Sequence, residues 1–233
     1  MTRERVLITG GAAGIGHATA ERCRAEGYEV VVIDRLGGDI VADLSDPGSA
    51  SAALGQALKD GPITRLVNNV GVVRPNSVEE QSLADLDAVV SLNLRCALQC
   101  LQAVLPGMKA ARFGRIVNMS SRAALGKESR SAYAATKAGL IAMAKVWALE
   151  LGAFGITTNA VGPGPIQTEL FDRANPAGSP PTKAILDAIP VRRIGTAADV
   201  ANAVTFFLDQ RSGFVTGQVL YVCGGMTVGA AGS

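Results

Sequence analysis

The chain has 233 residues, 48% of them hydrophobic, 18% charged and only 4% aromatic, with 27 glycines. That length and composition suit one α/β domain with a core of small aliphatic side chains, and they exclude a disordered chain. The formal net charge is +2, with both signs spread along the sequence, so no basic stripe supports nucleic-acid binding.

The N-terminal MTRERVLITGG runs straight into a strand and lacks the apolar core and cleavage site of a secretory leader. No uninterrupted apolar run reaches bilayer-spanning length, and the expected address is the cytoplasm, with no membrane partner. VLIT (6–9) reads as the first strand and 15–26 as a helix. Between them lies TGGAAGIG, with Gly10, Gly14 and Gly16. Glycines there let the backbone approach a pyrophosphate at the positive end of a helix.

VVVID (30–34) is the second strand and closes on Asp34. A carboxylate at that end can accept hydrogen bonds from ribose hydroxyls and repel a 2′-phosphate. Arg35 follows, and continued strand alternation would turn it to the opposite face. DIVAD (39–43) is a short third strand and RLVNN (65–69) a fourth. An amphipathic segment at 82–111 leads to RIVNM (115–119), and another at 131–152 to GITTNAV (155–161). The Pro/Gly-rich stretch from 162 onward is too long for a connector, and 162–190 is expected to be a mobile substrate lid. QVLYV (218–222) is the seventh strand. Strands alternating with helices imply a mostly parallel sheet covered on both faces, with ligands beyond the carboxyl ends of the strands.

Tyr133 and Lys137 stand at i and i+4 in SAYAATKAGL, one turn apart on one helix face. A cation beside a phenol lowers a pKa that is normally about 10, so the pair could exchange a proton with a substrate oxygen. Cys23, Cys96, Cys100 and Cys223 form no metal-binding spacing and His17 is the only histidine, so no metal site is expected. Cys96 and Cys100 read as small buried hydrophobes, His17 as a helix-surface residue and Trp147 as a packing residue.

Taken in order, these elements resemble the short-chain dehydrogenase/reductase family, specifically its 3-oxoacyl-acyl-carrier-protein-reductase-like branch. TGGAAGIG matches the family's TGxxxGxG turn, NNVG (68–71) its NNAG element, YAATK its YxxxK signature, and Asn159 to Thr168 its N-x-V-x-P-G-x-I-x-T segment. The resemblance covers essentially the whole chain and implies a single Rossmann-type, doubly wound domain over 1–233 with a seven-stranded sheet.

It also implies roles. Tyr133 is the general acid/base, Lys137 lowers its pKa and binds the nicotinamide ribose, a serine polarises the carbonyl, and Asn93 holds a relay water. Gly10, Gly14, Ile15, Gly16, Asp34, Asp43, Leu44, Asn69, Gly71, Tyr133, Lys137, Pro163, Gly164, Ile166 and Thr168 are implied cofactor-binding positions. Counting back from Tyr133 gives Ser120 as the serine, whereas aligning GRIVNMSS gives Ser121. Ser121 is favoured, because a one-residue strand slip turns a side chain to the wrong face. Only RLGGDIVA separates Asp34 from Asp43, too little for the helix that the family usually has there. The adenine side should therefore be open, with Leu36 a candidate wall.

The implied function is NAD(H)-dependent hydride transfer to or from a small-molecule secondary alcohol or ketone, with NAD preferred and NADP the alternative. One competing reading is reduction of 3-oxoacyl groups on an acidic carrier protein with NADPH, for which Arg122, Lys127, Arg130, Arg192 and Arg193 could form a basic rim. Another is a non-enzymatic dinucleotide sensor or scaffold. The resemblance further implies a homotetramer built through the 82–111 and 131–152 helices.

Overall fold

A computed structural model describes residues 4–176 and 178–228. The strands are β1 (Arg5–Thr9), β2 (Glu29–Asp34), β3 (Ile40–Val41), β4 (Arg65–Asn68), β5 (Gly114–Met119), β6 (Ile156–Pro163), β7 (Ile166–Gln167), β8 (Gly195–Thr196) and β9 (Val219–Val222). Seven of them form one sheet in the order β3-β2-β1-β4-β5-β6-β9, while β7 and β8 pair separately. Every pairing in the large sheet is parallel. The strand order reverses between β1 and β4, and the sheet opens a crevice at their carboxyl ends.

Alternating side chains feed two cores, as a pleated strand covered on both faces requires. Leu7, Val31, Ile33, Leu66, Ile116 and Ile156 pack on one face with Leu54, Cys100, Val104, Trp147 and Leu151. Val6, Ile8, Val32, Val67, Val117 and Val161 pack on the other with Ala20, Cys23, Val204 and Phe207. The helices are α1 (Gly14–Ala25), α2 (Pro47–Ala57), α3 (Leu83–Val90), α4 (Cys96–Ala111), α5 (Ser131–Leu151), α6 (Glu169–Ala174), α7 (Pro180–Asp187) and α8 (Ala197–Leu208), and α1, α2, α4, α5 and α8 supply these partners. Trp147 and the Cys96–Cys100 pair are buried, as their pattern suggested, and His17 is exposed on α1.

Several elements depart from the sequence reading. Helix α2 was not anticipated, although Asp46 caps it by accepting from Ser49 N and Pro47 sits in its first turn. The 82–111 segment is not one regular helix: a π-turn, Ser91–Arg95, joins α3 to α4. By length and composition alone, Leu83–Ala111 could cross a bilayer, contrary to expectation. Its buried side chains Cys96, Cys100, Leu101 and Val104 instead form part of the sheet's core. The Pro/Gly-rich region is not a bare loop either, since β7, α6 and α7 lie within it, with Thr168 and Ser179 as side-chain caps.

As expected, no helix connects β2 to β3. Five residues, Arg35–Asp39, make the crossing. The Asp39 carboxylate accepts from Val32 N at 2.8 Å and pins the turn.

Candidate active site

The glycine turn closes on the end of β1 because side chains are absent there. A Cβ on Gly16 would stand 2.1 Å from Gly10 O and 2.5 Å from Asn69 Nδ2, distances real atoms cannot hold. Gly10 and Gly14 have positive φ, 68° and 56°. Asn69 fastens the turn by donating from Nδ2 to Thr9 O at 3.0 Å and to Gly10 O at 2.8 Å. Thr9 returns the link, its hydroxyl accepting from Asn69 N and Val70 N at 3.1 Å. Asn69 thus shapes the cleft with its amide N–H donors already spent, and Thr9, not singled out in sequence, is its partner.

The turn leads into a cleft of about 710 Å³ lined by Gly10, Asp34, Leu36, Asp43, Asn69 and Gly71, among others. Asp34 accepts from Ala12 N at 3.1 Å and Leu36 N at 3.0 Å, which leaves two of its roughly four lone-pair directions for hydroxyls. Asp43 accepts from Ser45 N and Ser45 Oγ, and those bonds hold its carboxyl below the usual range. Leu44 also lines the cleft, though its side chain is buried. Leu36, 84% exposed, lines the cleft beside Asp34 and Arg35. Arg35 is a correction: it lines the same cleft as Asp34, because the chain turns after Asp34 and the strand alternation stops there. Arg74 lines the cleft as well and was not foreseen.

At the far wall, Thr168 meets the glycine turn: a Cβ on Gly14 would stand 3.6 Å from Thr168 Cγ2. Pro163 ends β6, Ile166 is buried in β7, and Gly164 packs so tightly on Cys223 that a Cβ would lie 2.7 Å from it. Ile15 is half-buried against the core under α1.

The second constellation sits where β4, β5, the π-turn and α5 converge. Asn93, 1% exposed, accepts from Val72 N at 2.8 Å through Oδ1 and donates from Nδ2 to Val72 O and Thr136 Oγ1. A π-turn shifts the helical hydrogen bonds to i→i+5 and occurs frequently at functional sites, and Asn93 lies at its centre. Gly71 lets two polar tips approach: a Cβ there would lie 3.1 Å from Asn93 Oδ1 and 3.2 Å from Lys137 Nζ.

Lys137 is buried, and desolvation pulls its ammonium down to about 8. Its Nζ donates to Met119 O at 2.6 Å and stands 5.6 Å from the Tyr133 ring centre. The phenol itself departs from the sequence expectation. Burial raises its pKa, while the Ser121 hydroxyl and Arg130 pull it back. The i, i+4 spacing does bring Lys137 beside the ring, but its ammonium is turned to the β5 carbonyl.

The two serines separate cleanly. Ser120 is buried and donates to Lys137 O at 2.7 Å. Ser121 lies on the Tyr133 side and caps the turn Arg122–Leu125 by accepting from Ala123 N. Among the described residues, no group of three or more His, Cys, Asp or Glu is placed to hold a metal.

A family model described as enoyl-(acyl carrier protein) reductase matches residues 10–227. The chain is 37% identical to (2S)-[(R)-hydroxy(phenyl)methyl]succinyl-CoA dehydrogenase subunit BbsD of Thauera aromatica, covering 95% of this chain and 96% of that one. It is 34% identical to the 3-oxoacyl-[acyl-carrier-protein] reductase FabG of Staphylococcus epidermidis, covering 94% and 97%. It superposes with a TM-score of 0.86 and 29% identity on a blue fluorescent protein from a metagenomic library in complex with NADPH, covering 97% and 98%.

Proposed function

The chain belongs to the short-chain dehydrogenase/reductase family, and from that membership we propose that it moves a hydride between NAD(H), before NADP(H), and a secondary alcohol or its ketone. That it is an NAD(P)-dependent oxidoreductase acting on CH–OH or C=O groups follows from the family itself, which sets aside a non-enzymatic sensor. The finer reading rests chiefly on one observation: Ser121, Tyr133, Lys137 and Asn93 converge at the end of the glycine-lined cleft.

The chain's surfaces fit a dinucleotide. Gly10, Gly16 and Asn69 pack too closely for any Cβ at Gly16, which holds the turn tight, while Gly14 faces only Thr168 Cγ2, 3.6 Å from where its Cβ would lie; the N-terminus of α1 offers its free amides to a pyrophosphate. Asp34 has lone pairs for ribose hydroxyls. When bound, the nicotinamide supplies the hydride or accepts it. Tyr133 exchanges the proton at the substrate oxygen, because hydride transfer leaves alkoxide character there. Ser121 donates a hydrogen bond to the same oxygen and stabilises the charge that develops. Lys137 holds positive charge behind the phenol, and Asn93 anchors the route by which that ammonium exchanges protons with solvent. The rigid sheet ends keep these groups oriented before substrate arrives.

The preference for NAD is supported by the Asp34 carboxylate. Arg35 in the same cleft favours the second reading, an NADPH-dependent reductase of 3-oxoacyl thioesters like FabG. A homotetramer through α4 and α5 is supported by the exposed apolar side chains of Leu98, Val146 and Leu149. The test of function is a panel of secondary alcohols and ketones with each cofactor, followed by absorbance of the reduced nicotinamide. Turnover with NAD faster than with NADP is expected, and no turnover of any member with either cofactor would contradict the proposal.

A further inference from the structure

Ser121 and Tyr133 stand at the two ends of one loop, and that loop is cationic. Between them lie Arg122, Lys127 and Arg130, with Glu128 the only carboxylate. Arg122 opens the short helical turn Arg122–Leu125, which packs back on α5. Arg130 is the residue before α5, and its carbonyl accepts from Ala134 N at 2.7 Å. A backbone bridge to Asn76 fixes Arg130 further, together with a bond from Asn76 N to Ser129 O at 3.1 Å.

Ser129 adopts a positive φ of 56°, and Gly126 one of 108°. The chain therefore turns sharply at both positions, with residues 125–129 exposed between the half-buried Arg122 and Arg130. All three cations fall within nine positions of this one loop, and partial burial, then the charges of Arg130 and Arg122, lower the Lys127 pKa. Arg130 also acts on the Tyr133 phenol.

Among the described residues, none of the three cations belongs to an ion pair. Arg130 spends one N–H on Ser129 O at 2.9 Å. Arg122 and Arg130 are half-buried, whereas Lys127 and Glu128 are exposed. Three like charges held together without a counter-ion repel one another, and an anion placed among them relieves that cost.

We propose that Arg122, Lys127 and Arg130 form a subsite for an anionic group that the substrate itself carries, a carboxylate or phosphate, so that this oxidoreductase acts on charged oxo or hydroxy compounds in preference to neutral ones. The inference rests on the assignment of Tyr133 as the reacting acid/base above. The anion belongs to a small molecule rather than to an acidic protein surface, because Arg122 and Arg130 lie half-buried on the loop that carries the reacting pair. A planar guanidinium suits both carboxylate and phosphate oxygens.

The test compares two matched pairs. One is 4-oxopentanoate with its methyl ester. The other is acetoacetyl-CoA with the same acyl group on N-acetylcysteamine, which lacks the phosphates. In the wild type, the charged member of one pair should lead in kcat/KM by about tenfold to a hundredfold, as charge-assisted hydrogen bonds give. The ratio should fall towards one in Arg122→Gln/Lys127→Gln. A carboxylate preference assigns the anion to the acyl chain, and a CoA preference assigns it to the phosphates.

Ratios near one in a wild type that turns over all four compounds would overturn the subsite and leave the oxidoreductase reading standing. If none is turned over, calorimetric titration of the protein–NAD+ complex with succinate and with dimethyl succinate decides. Succinate binding that the double variant loses supports the subsite while counting against the proposed function. Succinate binding that is absent, or equal in both proteins, overturns the subsite.

Discussion

The Ser120 hydroxyl donates to the backbone carbonyl of Lys137 at 2.7 Å, so the serine nearer the strand is committed to tying β5 to α5. The next residue, Ser121, is left facing the Tyr133 phenol. The two serines should therefore respond differently to truncation. Ser121→Ala should lower kcat/KM by about 10²–10³, the loss typical of one oxyanion donor. Ser120→Ala should cost about 1 kcal/mol of stability for one buried hydrogen bond and leave most of the activity. Steady-state kinetics and denaturant unfolding on both variants would separate the two effects, and the reverse ranking would move the catalytic role to Ser120.

Burial of Lys137 predicts a trade of stability for function. Its pKa falls from the usual 10.5 to about 8 through desolvation, so keeping it charged at neutral pH costs about 3 kcal/mol of stability. Between pH 8 and 10.5 the unfolded chain binds the proton that the folded chain has released, so stability gains with rising pH across that window. Lys137→Met should be inactive yet more stable than wild type at pH 7, and the gap should shrink as pH rises from 8 towards 10. Urea unfolding at both ends of that range measures it. A variant less stable than wild type at pH 7 would show that the Met119 bond outweighs the burial cost.

Gly71 sits where Asn93 and Lys137 meet, and an added Cβ would lie 3.1 and 3.2 Å from their polar tips. Gly71→Ala should push both by a few tenths of an ångström, lowering kcat by about tenfold through misplacement of the reacting groups. The melting temperature should hardly move. A drop in melting temperature without loss of kcat would mark Gly71 as a packing residue only.

The proposed preference for NAD rests on Asp34. Its carboxylate would stand against the 2′-phosphate of NADP and accept from the 2′-hydroxyl of NAD. Arg35, which lines the same cleft, would moderate that repulsion. The wild type should prefer NAD in kcat/KM. Asp34→Asn should shift the NAD:NADP ratio towards NADP by about tenfold or more, while Arg35→Ala should sharpen the preference for NAD. Equal kcat/KM for the two cofactors in the wild type would remove Asp34 as the selector.

Most strands of the large sheet were legible as compact apolar runs whose alternate residues serve two cores, as Val6, Leu7 and Ile8 do. The short β2–β3 crossing was legible by counting residues. Helix α2 was not, because its Ala-, Gly- and Ser-rich face carries little amphipathic contrast, although Asp46 and Pro47 mark its start. The π-turn at Asn93 left no trace, since every residue of SLNLR is also compatible with a regular helix. Side-chain direction was the other blind spot. Period-two alternation no longer applies to Arg35 beyond the last strand residue. The i, i+4 rule brought Lys137 beside Tyr133 but says nothing of the Met119 carbonyl that captures its ammonium. The recruitment of Thr9 by Asn69 is a contact between residues 60 positions apart, beyond any local pattern.

The central claim is that Tyr133 exchanges the proton that accompanies hydride transfer. Its direct test is turnover of the best alcohol or ketone in the panel by Tyr133→Phe, with the dissociation constant for NADH measured on the same protein by fluorescence titration. General acid–base help is worth about 10²–10⁴ in rate, so kcat should fall by that factor while NADH binding stays near the wild-type value. A Phe variant that turns over at the wild-type rate would contradict the account.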